Sequence, residues 1–455
     1  MIADINYFST NFDATLVSFK EALLKGLAPD GGLYMPSNIP ELSREEIDGL
    51  KGISYPEIAF NIAEKFLGRE IDEENLRQIT KDAYNFEVPL EKIYDRKYVM
   101  RLDQGPTASF KDFAARMMGR LMQYFLQKEN REMLILTATS GDTGSAIANA
   151  FYGLDNIKVV VLFPKEEVTD RQRKQMTTLH KNIQIISIEG KFDDCQALVK
   201  KAFSDPELND LKLSSANSIN IGRLIPQSIY YSYAFAQLSE NSEDEMIVCV
   251  PSGNFGNLMG GLIAKHMGIP IKKFVIATNE NDEVPVYFKT GNYNTIVPSL
   301  NCISSAMNVG HPSNMARIVT LYGGIMDETG KIIKEPDTEL LKSHMEAVSI
   351  SDEETRKTIK TAYERHKLIL EPHGAVGWKG LHTYLDQNPE VNTKNQLCVS
   401  LETAHPAKFP DEINEILNLD PELPGSLKGL DDKEEACDSL KNDYQQFKEY
   451  LIKKY

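Results

Sequence analysis

Short, almost unbroken apolar runs alternate along most of this chain with segments whose apolar residues recur every three or four positions. The runs are "EMLILTAT" (132–139), "IKVVVLFP" (157–164), "IQIISIEG" (183–190), "EMIVCVP" at the head of 245–257, and "KKFVIATN" (272–279). Strands this apolar on both faces belong in a parallel sheet covered by helices on each side. The intervening segments, "AIANAFYGL", "DRQRKQMTTL", "DDCQALVKKAF" and "LMGGLIAKHMG", supply those helices, so the pattern predicts an α/β fold. "IPQSIYYSYAFAQL", within 225–240, is apolar on most sides and reads as a buried helix carrying the chain between two lobes. Beyond about residue 410 the chain turns acidic and polar, and "DKEEACDSLKNDYQQFKEYLIKKY" reads as a solvated terminal helix.

One helix carries an oddity. In "QGPTASFKDFAARM" (104–117), Gly105, Pro106 and Thr107 read as turn and cap, and Phe110, Phe113, Met117, Leu121 and Tyr124 mark one apolar face. Lys111 then falls in the first turn, where the helix dipole opposes a positive charge. Dipole and desolvation together lower the pKa of such an amine, and a neutral amine is what a Schiff-base lysine requires. A surface lysine lying along the helix is the plainer alternative.

Composition removes several function classes. The 455 residues carry 50 basic against 66 acidic groups, a net charge of −16, which argues against nucleic acid or an anionic membrane as partner. An anionic small molecule would need a local cluster of cations and N–H donors. The start, "MIADINYFSTNFDATL", has neither the basic nor the apolar character of a signal peptide, and no apolar stretch reaches membrane-spanning length. A cytoplasmic protein is expected. Five scattered cysteines without a C-x-x-C pair, and histidines without H-E-x-x-H, point to neither disulfides nor a metal site.

Three further segments carry chemistry, each where a strand gives way to a turn, the edge at which open α/β sheets bind ligands. "TSGDTGSA" (139–146) sets Ser140, Gly141, Asp142, Thr143 and Gly144 ahead of a helix, where backbone N–H groups meet an anion. An ordinary capped turn accounts for it equally well. "PSGNFGNLMGG" (251–261) has glycines and asparagines suited to close backbone approach and left-handed conformations, with neither the dinucleotide fingerprint nor the P-loop spacing. "SLETAHPAKF" (400–409) ends an apolar strand on a hydroxyl, a histidine and a proline. A lysine suited to an aldehyde, on the same edge as a phosphate cradle, points to pyridoxal phosphate.

"GPTASFKDFAARMMG" resembles the cofactor-lysine segment of the threonine synthases, and "GLAPDGGLYMP" (26–36), "TSGDTGSA", "PSGNFGNLMGG" and "ETAHPAKF" resemble further segments of that family in the same order. The first and last of these four separate it from the wider fold type II class, which includes the tryptophan synthase β-subunit and threonine deaminase. The resemblance implies pyridoxal 5'-phosphate bound by Lys111, its phosphate held by Gly253, Asn254, Phe255, Gly256 and Asn257, and its ring nitrogen facing Thr403. Ser140, Gly141, Asp142 and Thr143 would grip the substrate's α-carboxylate. The implied reaction, the last step of threonine biosynthesis, converts O-phospho-L-homoserine and water to L-threonine and phosphate. It proceeds by β,γ-elimination and water addition at Cβ.

For the substrate phosphate, "NVGHPSNMARI" (308–318) offers Ser313, Asn314 and Arg317. This chain has Met315-Ala316 where the family commonly has Phe-Glu, so a structural Arg317 fits as well, and Arg116 and Lys174 are other cations to consider. Two alternatives share the scaffold: a phospho-lyase releasing 2-oxobutyrate, and a non-enzymatic relative, against which the intact Lys111 speaks. The implied architecture is fold type II, with two lobes of mainly parallel sheet flanked by helices and the cofactor between them. An N-terminal segment at 1–98 would precede a large lobe at 99–110 and 225–409. A smaller mobile lobe would span 111–224 and a helical tail 410–455. Monomer and homodimer both remain compatible with the sequence.

Overall fold

The computed structural model describes residues 5–139 and 141–455. A hairpin of β1 (Tyr7–Ser9) and β2 (Tyr34–Pro36) opens the chain, followed by helices Arg44–Asp48, Tyr55–Leu67 and Glu73–Ala83. Asp30, in the "GLAPDGG" turn, holds this region together by accepting from Ser9 Oγ and from the N–H groups of Asp13, Ala14 and Gly32.

The large-lobe sheet contains β3 (Leu90–Tyr94), β4 (Lys97–Arg101), β9 (Met246–Pro251), β10 (Ile271–Thr278), β13 (Met345–Ser349) and β14 (Leu397–Glu402). Its order is β13-β10-β9-β14-β4-β3, parallel throughout except for the β3–β4 hairpin at its edge. The N-terminal segment therefore ends before Leu90, not at residue 98 as expected, because β3 and β4 pair into this sheet. A small antiparallel pair, β11 (Ile325–Met326) and β12 (Ile332–Lys334), lies apart from it.

The small lobe is an all-parallel sheet of β5 (Met133–Ala138), β6 (Ile157–Pro164), β7 (Ile183–Glu189), β8 (Leu213–Ser214) and β15 (Asp438–Lys441), in the order β15-β7-β6-β5-β8. β5 is buried along its whole length, as an unbroken apolar run requires. The helices Asp142–Phe151, Asp170–Thr177 and Phe192–Phe203 follow its strands in alternation.

Two expectations need correction. The C-terminal segment is not a solvated tail. β15 extends the small-lobe sheet beside β7, and the helix Tyr444–Lys454 buries Phe447 and Leu451 against Leu198 and Val199. Those two side chains each stabilise the native state by about 1.5–3 kcal/mol when fully buried, and Leu440, Tyr444 and Tyr450 pack beside them. The helix Lys111–Lys128 is likewise not one-sided. Polar Asp112 and Arg116 are buried along with its apolar residues, because it runs between the N-terminal helices and the small lobe. The helix Ile225–Leu238 is buried on nearly all sides, as its composition predicts. Among the described residues no helix is long and apolar enough to cross a membrane.

Candidate active site

Lys111 is the first residue of its helix, and the preceding Phe110 offers no side-chain cap. Thr107 does not cap this helix. Its N–H and hydroxyl donate to the Asp112 carboxylate at 2.8 and 2.6 Å, which closes the Gly105–Ser109 turn. The turn is pinned to the end of β14, where Phe110 N–H donates to Thr403 O at 2.9 Å. Lys111 and Thr403 are thereby held at one sheet edge although 292 positions separate them.

The Lys111 side chain is only 15 % exposed, and its Nζ lies 3.9 Å from Asp142 Oδ2. Asp142 opens the helix Asp142–Phe151, as a strand–turn–helix reading of "TSGDTGSA" requires. Its other oxygen is taken by Lys408 Nζ at 2.6 Å and Gln172 Nε2 at 3.0 Å. Lys408 is fully buried and also donates to Thr107 O at 3.0 Å. Burial lowers the Lys111 pKa, Asp142 opposes that, and the Lys408 and Arg223 cations reinforce it. The two lysines hold the buried Asp142 carboxyl far below the usual carboxylate range.

The turn ahead of this helix is built for backbone exposure. Thr139 Oγ accepts from the N–H groups of Gly141 and Gly144 at 2.9 and 2.7 Å, and Gly141 has φ +133°. A Cβ at Gly141 would lie 2.5 Å from the Gln172 side chain, so only glycine fits. Asp142 and Thr143 are first-turn residues, whose N–H groups have no partner within the helix. Thr143 is half-buried, and Ser140 lies outside the described residues.

The second loop leads into the helix Gly256–His266. The left-handed residue is Phe255, with φ +61°, and not one of the glycines the sequence offered. Gly253 is required by a neighbouring turn, since its Cβ would lie 2.9 Å from Ala306 O. Asn254 is exposed, and Asn257 is buried. Asn257 Oδ1 accepts from the hydroxyls of Tyr230 and Tyr231, at 2.6 and 2.5 Å, while its buried Nδ2 has no acceptor among the described residues. A buried donor left open in a helix's first turn suits an anion.

The other expected residues divide. Thr403 is buried, and among the described residues its hydroxyl has no hydrogen-bond partner. Asn314 Nδ2 donates to Asn254 O at 2.9 Å and so braces the cradle loop. Ser313 is half-buried close by. Arg317 is fully buried and committed elsewhere, donating to Tyr34 O, Ser218 O, Ile219 O and Asn314 Oδ1. Arg116 serves Ala83 O, Asp82 O and Asn85, and Lys174 pairs with Asp431, so both are structural.

Sequence reading missed Lys408 and Arg223. Lys408 stood inside "ETAHPAKF", but its side-chain partner lies 266 positions away. Arg223 sits in "NSINIGR" with no periodicity to mark it. It is 3 % exposed, donates to Ala216 O at 2.6 Å, and leaves its buried Nε unpartnered. Burial lowers its pKa to about 10.

Comparison with known proteins matches three family models. These are the threonine synthase N terminus over residues 6–84, the pyridoxal-phosphate-dependent enzymes over 89–401, and the threonine synthase C-terminal family over 374–451. A threonine synthase of Haemophilus influenzae is 40 % identical over 452 residues, covering 99 % of this chain and 100 % of its own. The crystal structure of pyridoxal-phosphate-bound threonine synthase from Brucella melitensis superposes with a TM-score of 0.91 at 35 % identity, over 98 % of each chain. That of the Escherichia coli enzyme gives 0.88 at 35 %, over 99 % of this chain and 100 % of that one. With family models matched at both ends and relatives covered over their full length, this chain belongs to the threonine synthase family.

Proposed function

We propose that this protein converts O-phospho-L-homoserine and water to L-threonine and phosphate, using pyridoxal 5'-phosphate held at Lys111. The observation that carries the reading is the convergence at one sheet edge of a desolvated Lys111, the buried Thr403 and, among the described residues, an open donor in Asn257. These residues fit the cofactor: an amine for its aldehyde, Gly253 to Asn257 for its phosphate, and Thr403 for its ring nitrogen. When bound, it supplies an electron sink for carbanions next to the amino nitrogen.

The chain's own groups do the rest. Lys111, released when the substrate amine takes its place, removes the proton at Cα and moves protons at Cβ, a task suited to one flexible amine of lowered pKa. A neutral hydroxyl at Thr403 need not keep the ring nitrogen protonated, so the bound cofactor would be a milder sink than one paired with a carboxylate. The Asp142 side chain, an ionised acceptor already paired with Lys408, has no donor to offer a second carboxylate. The α-carboxylate is therefore received by the N–H groups of Asp142 and Thr143 and the Thr143 hydroxyl, next to Gly141.

For the substrate phosphate the fitting cation is Arg223, whose buried Nε has no partner among the described residues and whose charge acts on Lys111. Arg317 and Asn314 shape the cradle from behind, with Ser313 beside them.

The test is to incubate the pure protein with O-phospho-L-homoserine and to quantify phosphate, threonine and 2-oxobutyrate together. Equal phosphate and threonine are expected. Phosphate with 2-oxobutyrate would identify a phospho-lyase on the same scaffold, and no phosphate would reject the substrate.

A further inference from the structure

Two buried lysines share one carboxylate. Lys408 Nζ lies 2.6 Å from Asp142 Oδ1, and Lys111 Nζ lies 3.9 Å from Oδ2. Gln172 Nε2 also donates to Oδ1, at 3.0 Å, from a helix start fixed by its own capping box with Thr169. Oδ1 is thus occupied by groups outside the reacting set, and Oδ2 alone faces Lys111. The two cations are not equivalent. Lys408 is fully buried and also tied to Thr107 O, whereas Lys111 makes no side-chain hydrogen bond to Asp142.

We propose that Lys408 is a positioning residue for the reaction. As the standing counter-ion of Asp142, it keeps that carboxylate from capturing Lys111 as an ammonium, so the Lys111 amine is free to attack and to carry protons. The inference rests on the reading of Lys111 given above.

The electrostatics are simple. Four charged groups on four elements act on the Lys111 charge: Asp142, Lys408 of the Pro406–Lys408 turn, Arg223 of the Ile221–Arg223 turn, and Glu371 ahead of the helix Pro372–Gln387. Two are cations that favour the neutral amine and two are anions that favour the ammonium. Removing Lys408 leaves a buried, uncompensated Asp142 whose nearest cation is Lys111. The charge on Lys111 changes during each turnover, so it cannot serve as that counter-ion. Lys408 takes no part in the chemistry and can.

The experiment uses the full-length protein, freed of cofactor. Lys111 is acetylated with acetic anhydride across a range of pH, and modification of its peptide is followed by mass spectrometry. Lys408→Met is expected to raise the inflection by about one pH unit or more, a tenfold loss of neutral amine below it. The acid limb of kcat/KM in the reconstituted enzyme should move the same way. Asp142→Asn is expected to lower the inflection, because it removes the anion and leaves Lys408 unopposed.

A folded Lys408→Met protein with an unchanged or lowered inflection overturns the proposal. So does Asp142→Asn with an unchanged or raised one, which decides the matter even where Lys408→Met does not fold. The acetylation reports the amine without cofactor, so this failure is distinct from cofactor attachment at another lysine.

Discussion

At the scale of single residues, the site separates groups that react from groups that hold them. Arg317 has the sequence marks of a phosphate ligand, yet it spends its donors on the backbone of Tyr34, Ser218 and Ile219. Arg317→Ala strands those buried carbonyls, each costing about 1–3 kcal/mol. A fall in thermal midpoint and weaker cofactor retention are therefore expected, and a variant of normal stability with only a raised KM would contradict this. Arg223→Ala should behave in the opposite way, raising KM for the phosphorylated substrate and weakening inhibition by inorganic phosphate, with the midpoint less affected. Glu402 contributes a pH dependence. Burial, and then the neighbouring Glu371, push its pKa well up, and its Oε2 lies unpartnered where Gly374 makes room. The stability that protonated Glu402 contributes is complete below the ordinary carboxylate range and is lost as pH rises. As pH rises above the ordinary carboxylate range, the thermal midpoint of the native protein should fall more steeply than that of Glu402→Gln, and parallel curves would exclude this.

At the scale of elements, the strands of both lobes were readable because fully covered parallel strands leave unbroken apolar runs, and β6 begins and ends where its run does. β15 was not readable, because "DSLK" has no apolar alternation and depends on a neighbour, β7, that is remote in sequence. The cradle loop was readable as a loop but not in its conformation. Its left-handed residue is Phe255, and its Gly253 answers to the turn at Ala306 and Met307. Gly253→Ala, forced against backbone atoms 2.9–3.0 Å away, should shift this loop and weaken cofactor retention, measured by release of pyridoxal phosphate on dialysis. Lys111 drew notice as a charge in a helix's first turn but was legible as functional only beside the loops on the same sheet edge; the structure leaves its side chain 15 % exposed, next to Asp142.

At the scale of the molecule, the C-terminal segment joins the lobes in a way no local pattern shows. Lys408 and the Ala407 carbonyl meet Asp142 and Arg171 of the small lobe, and Arg173 and Lys174 reach Glu435 and Asp431. β15 and the last helix then close the edge of the small-lobe sheet. Deleting residues 437–455 should leave β7 bare and Leu198 and Val199 exposed, giving a lower thermal midpoint and aggregation. A truncated protein with native stability would show the segment to be dispensable.

The central claim is that Lys111, and not its buried neighbour Lys408, carries the cofactor. The direct measurement is reduction of the holoprotein with borohydride, followed by peptide mapping. The added phosphopyridoxyl mass is expected on the peptide containing Lys111, and should be absent from Lys111→Ala. The same mass on Lys408, or its persistence in Lys111→Ala, would contradict the account.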